Sequence, residues 1–182
     1  MFSSNRLLAM LAIIIFLALA LSSLVMAKEQ DDINTAYQAD YVVTEAGQTK
    51  LMTIWFDETY IAYSLDNSPQ VALWAHWNSD HPTFFQVFSD VGYRIEYDRL
   101  TSNDMQPVLK ELKLLFKEKT LQDKVSKGQK EFVLSSINNS VAVKKRMESW
   151  LEFKTYDYAD IGDNEADPVL GKLINQGFVR SF

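Results

Sequence analysis

The chain has 182 residues, no cysteine, 47% hydrophobic residues and a net charge of −6. The acidic balance argues against nucleic acid and anionic lipid as partners, since both are bound through excess Lys and Arg. The missing cysteines exclude a disulfide scaffold and a lipid-modified cysteine anchor, so the fold must stand on its hydrophobic core.

Residues 1–27 open with MFSSNR, whose one charge is Arg6, and continue as the apolar run Leu7 to Ala27. A basic start, an apolar centre and small residues at Val25 and Ala27 are the features of a secretory signal with a V-M-A cleavage site. The run is also long enough to span a bilayer of about 30 Å, which leaves an uncleaved N-terminal anchor as the other reading. Both readings give one topology: Arg6 stays on the cytoplasmic side and Lys28 to Phe182 crosses. The expected location is therefore the bacterial periplasm, soluble if the chain is cut after Ala27 and otherwise anchored in the inner membrane by residues 7–27. Losing Arg6 takes the net charge from −6 to −7 and leaves about 155 residues, enough for one ordinary domain.

Residues 28–36 form a polar leader, and residues 37–182 are expected to make a single exported α+β domain. Six short aromatic and β-branched runs follow, AYQADYVVTE, KLMTIWFD, TYIAYSL, QVALWAHW, TFFQVFSD and YRIEYDR. Turn formers separate them, including Gly47, Asp57-Glu58 and Asp66 to Pro69, so they predict an antiparallel meander. In LMTIWFD, Met52, Ile54 and Phe56 share one face while Leu51, Thr53 and Trp55 share the other. Apolar residues on both faces predict a sheet covered on both sides, or a curved sheet or half-barrel holding an apolar ligand. The exposed aromatics of such a ligand site would be Trp55, Trp74 and Trp77. On an uninterrupted strand from Gln70 to Trp77, His76 shares the Trp74 face and Trp77 points away with Leu73 and Ala75.

Ser102, Asn103 and Asp104 offer helix caps, and Pro107 suits a first turn. The apolar stripe Val108, Leu112, Leu115 and Phe116 predicts one long helix running on to Val125, with Gly128 as its stop. EFVLSSI then reads as a strand, Asn138-Asn139 as a hairpin turn, and Val141 to Phe153 as a second long strand by its odd apolar positions. Lys145 and Trp150 break that alternation and keep a helix as the rival reading.

Residues 157–167 gather Asp157, Asp160, Asp163, Asn164, Glu165 and Asp167. Hard oxygen ligands of this kind suit calcium, but their spacing does not follow the alternating loop of known calcium hands. Residue by residue they better fit the loop before a short C-terminal helix in which Asp167 is the cap, Pro168 the first residue and Gly177 the stop. His76, Asp80 and His81 are candidate metal ligands, though two histidines with no repeated ligand motif also suit a strand end and its turn.

No nucleophile elbow, S-x-x-K, H-E-x-x-H or phosphate-binding glycine loop is present, so no catalytic residue and no cofactor is implied. In architecture, residues Tyr37 to Phe153, through LMTIWFDETYIAYSL and QVALWAHW, resemble LolA/LolB-type periplasmic half-barrel proteins. That resemblance implies a concave apolar cavity for lipid or acyl chains and transfers no individual residue. The sequence thus predicts a non-catalytic cell-envelope protein that binds an apolar ligand, such as a lipid, or a protein partner. The alternative is a membrane-anchored accessory subunit of an envelope complex, with a metal-binding protein behind it.

Overall fold

A computed structural model describes residues 36–100, 102–161 and 167–176, within one compact unit that begins at Ala36. The apolar segment 7–27, the leader up to residue 35, and Asp163, Asn164, Glu165 and Gly177 lie outside the described residues. Among the described residues, no helix is long and apolar enough to cross a membrane.

The alternating runs form the expected strands: β1 (Tyr37–Glu45), β2 (Gln48–Phe56), β3 (Tyr60–Leu65), β4 (Gln70–Ala75), β5 (Thr83–Phe88) and β6 (Tyr93–Tyr97). Each pairs antiparallel with the next. The turn residues act as their chemistry requires. Asp57 Oδ1 accepts the amides of Thr59 and Tyr60, both at 2.7 Å, closing β2 onto β3. Asp66 and Asn67 take positive φ between β3 and β4, a region their short polar side chains tolerate.

After β6, a 3-10 turn (Asn103–Met105) leads into α1 (Gln106–Leu114), which is half the expected length. Glu118 and Lys119 adopt positive φ and turn the chain back as a small hairpin of β7 (Phe116–Lys117) and β8 (Thr120–Leu121). A second hairpin follows, β9 (Lys124–Lys127) and β10 (Lys130–Asn139), turning at Gly128 with φ +62. Gly128 is therefore a hairpin residue and not a helix stop. Asn138 and Asn139, expected in a turn, extend β10 and pair with Gln38 and Tyr37.

The segment expected as a long strand is helix α2 (Val141–Glu152), capped by the Ser140 side chain accepting the Val143 amide. Val143, Met147 and Trp150 are its buried residues, a spacing of four and three that belongs to a helix face. β11 (Lys154–Asp157) then pairs parallel with β6, and α3 (Pro168–Gln176) follows a 3-10 turn. Asp167 Oδ1 accepts the Val169 amide at 2.7 Å, so the expected cap is present.

The result is an open, mostly antiparallel nine-stranded sheet, ordered β11-β6-β5-β4-β3-β2-β1-β10-β9, in an α+β fold. Two connections carry the chain between its ends, one on each face. On the first face α1 and α3 bring Val108, Leu109, Leu112, Leu170 and Leu173 onto Tyr41, Ile54, Tyr63, Trp74 and Phe84. On the second face α2 lays Val143, Met147 and Trp150 over Trp55, Ala62, Leu73 and Phe85. Full burial of such side chains contributes about 1.5–3 kcal/mol each. The two-sided apolar pattern of the central strands thus reflects covering helices, and each described face of those strands is filled by the protein's own side chains.

Candidate functional site

Trp55, Trp74 and Trp77 are core residues, 5%, 0% and 7% exposed, and they do not form one group. Trp55 belongs to the second face, where it meets Trp150. Trp74 and Trp77 belong to the first, because β4 ends at Ala75 and His76 takes φ +52, turning Trp77 over to the Trp74 side. The expectation that Trp77 faces away with Leu73 is corrected by that one left-handed residue. Trp77 is then held by its indole N–H donating to the Asp57 carbonyl at 3.1 Å. Trp55 donates to Gln38 Oε1 at 3.0 Å. The Trp74 N–H is buried and has no hydrogen-bond partner among the described residues.

The chain after His76 builds one wall of an open cleft. Ser79 donates its amide to the His76 carbonyl at 2.8 Å, and the His81 amide donates to Ser79 Oγ at 3.3 Å, so residues 76–81 form a tight reversal that leads into β5. The facing wall comes from the end of β6 and the entry to α1. There Asp98 Oδ1 accepts the Leu100 amide at 2.7 Å, and the Asp98 carbonyl accepts the Ser102 amide at 3.0 Å. The cleft between them has a volume of about 600 Å³.

Its lining sets charged and polar groups of both signs around surface that is mostly carbon. Asp80, Glu96 and Asp98 bring carboxylates, Arg99 and Lys110 bring cations, and His81 lies beside Asp80. Ser102 also lines it and is only 2% exposed. Tyr97 also lines it, stacked on Tyr158 at 4.6 Å and tilted by 47° against Phe84 at 5.0 Å. Tyr97 donates its hydroxyl to Gln86 Oε1 at 2.9 Å. Burial, reinforced by the neighbouring Tyr158, raises the Tyr97 phenol well above its ordinary value, so this group stays a neutral donor.

Of the candidate metal ligands, Asp80 and His81 line the cleft while His76 sits at the left-handed turn outside it. Among the described residues no three His, Asp or Glu side chains converge as a metal site. In the acidic segment, Asp157 Oδ1 accepts the Ala159 amide at 2.9 Å and Asp167 caps α3, so two of its carboxylates serve local structure. No hydroxyl of the cleft is hydrogen-bonded to His81 among the described residues.

Sequence reasoning does not reach this cleft because its residues come from separate stretches, 80–83, 96–100 and 102–103, with Gln106 and Lys110, brought together by the chain's return from β6 into α1. The run of turn formers at Ser102, Asn103 and Asp104 was the one local signal, and it marked a helix start. No protein-family model and no curated protein matches the chain.

Proposed function

We propose that this chain acts outside the cytosol, in the cell envelope, as a non-catalytic binding protein whose ligand enters the cleft between residues 80–83 and the start of α1. The apolar run from Leu7 to Ala27 behind a single Arg6 supports export, whether that run is cut away or kept as a tether. The observation that carries the binding role is the cleft, which gathers charged and polar side chains around largely apolar surface. The charged groups around the cleft favour a ligand with polar groups of its own, and the three core tryptophans offer a purely apolar ligand no open surface.

Amide chemical-shift mapping on the exported protein, screened against small polar compounds, tests the cleft. Shifts gathered in residues 80–83 and 96–106 support this reading, and shifts confined to other surfaces count against it. Cell fractionation with determination of the mature N-terminus tests export, and a cytosolic chain with an intact start would end that part of the reading.

A second reading, an accessory subunit docked on an envelope complex, draws on the far edge of the sheet. β9 covers β10 only from Lys130 to Val133, and beyond that Ile137 is 55% exposed and Val141 71% exposed. A bare strand edge with apolar neighbours suits strand addition by a protein partner. Photo-crosslinking from Ile137 in cells distinguishes the two readings: a discrete adduct favours docking, and its absence favours the cleft.

A further inference from the structure

Resting on that binding role for the cleft, we infer that its ligand is an uncharged, hydroxyl-rich molecule, a short stretch of carbohydrate. The lining sets opposite charges side by side, Arg99 and Lys110 against Asp80, Glu96 and Asp98. A phosphorylated ligand would meet the three carboxylates, and a polycation would meet the two basic groups. Neither finds the one-signed field that draws such ligands in.

The hydrogen-bonding capacity of these groups is largely unspent. Asp98 is committed to the turn at Leu100, but Asp80, Glu96, Arg99, Gln106 and Lys110 make no side-chain hydrogen bond or ion pair to another described residue. Ser102 adds a hydroxyl at the cleft. Sugar hydroxyls both donate and accept, so one chain of them satisfies carboxylates, guanidinium and amide alike.

The cleft's own surface supplies the other half of such recognition, because most of it is carbon although charged and polar groups surround it. Apolar surface beside polar side chains matches a sugar, which has an apolar C–H face and a polar rim. The volume of about 600 Å³ falls within the range of small-molecule pockets and leaves room for a short oligosaccharide.

The test is calorimetric titration of the exported protein with maltotriose, cellotriose and chitotriose, alongside inorganic phosphate, oleate and a dialanine peptide as contrasting probes. The expected result is saturable binding of at least one oligosaccharide, weakened about tenfold or more by Glu96→Gln and by Arg99→Ala. Both positions are exposed, so circular dichroism should show the fold of either variant unchanged. Binding of phosphate, oleate or dialanine with no response to any sugar overturns the carbohydrate inference and leaves the cleft as a binding site. Oligosaccharide binding that neither variant weakens places the sugar elsewhere and overturns the inference too. Silence with every probe removes the support for both the inference and the binding role.

Discussion

Trp55 and Trp150 meet edge to face, ring centroids 5.1 Å apart and planes at 87°, and this contact seats α2 on the second face of the sheet. Both rings are buried, at 5% and 3% exposure. Trp150→Ala should therefore cost about 3–5 kcal/mol by opening a large cavity under the helix. Leu151→Ala, at a half-buried neighbouring position, should cost clearly less. Urea unfolding of the two variants measures the difference. Equal costs would mean that α2 is not held through Trp150.

The same residue explains what the sequence made legible and what it hid. Strands β1 to β6 were readable because alternation and turn chemistry agree there, as in Met52 and Ile54 against Trp55. The α2 segment carries two periods at once. Val141, Val143, Met147, Leu151 and Phe153 occupy odd positions, while Val143, Met147 and Trp150 follow a helical spacing. The Ser140 cap and the even-numbered Trp150 decide for the helix, and Trp150 was the residue that broke the strand pattern. The over-long helix has a different cause: the reversal at Glu118 and Lys119 uses residues that are good helix formers by composition. Tertiary pairing of Phe116 with Leu121 overrides that propensity. The cleft could not be read because no local pattern records which loops meet.

The three core tryptophans differ in one respect, which yields a graded prediction. Trp77 donates to the Asp57 carbonyl, whereas the Trp74 N–H is buried without a partner among the described residues. Replacing Trp by Phe removes similar volume at both sites. At Trp74 it also relieves an unpaired donor, a burden of about 1–3 kcal/mol, while at Trp77 it strands an acceptor. Trp77→Phe should thus be more destabilising than Trp74→Phe by about 1 kcal/mol or more in denaturant titrations. The opposite order would show that the Trp74 indole is satisfied in solution, for instance by a bound water or ligand.

Glu111 ties α1 to the β9–β10 hairpin. Its carboxylate receives Lys127 Nζ at 2.7 Å and Lys130 Nζ at 3.1 Å, and Lys130 also lies 3.8 Å from Glu45. Burial by itself would raise the Glu111 carboxyl, but the hydrogen bonds and charges of the two lysines outweigh it and hold the group below its ordinary 4.5. A depressed folded-state value means that this stabilisation is present above about pH 4.5 and is lost as the pH falls through the lowered value. Glu111→Gln should lower stability near neutral pH and flatten the decline on acidification. Thermal melts of the wild type and the variant across that range check it, and parallel curves would show that the network contributes nothing to acid sensitivity.

At the alkaline end the burden falls on buried phenols. Tyr41 donates its hydroxyl to the Gln122 carbonyl at 2.8 Å, joining the centre of β1 to the segment after β8. Burial first, and then the nearby Asp123 carboxylate, push its value up from 10.0 to about 12. The same directions hold for Tyr63, through burial and Glu111, and for Tyr97. A phenol raised in the folded state keeps a proton that the unfolded chain releases, so the stability it contributes is complete below about pH 10 and drains away as the pH climbs through the folded value. The protein should therefore lose stability steadily above about pH 10, with Tyr41 ionising near the top of that range. Tyr41→Phe should cost about 0.5–1.5 kcal/mol at neutral pH, where the hydrogen bond is lost, and should soften the alkaline decline. Urea unfolding on either side of the phenol transition reads both effects. Ultraviolet titration of the folded protein adds an independent check: a full set of phenolates appearing together near the ordinary value, with the fold retained, would contradict the buried environment of Tyr41, Tyr63 and Tyr97.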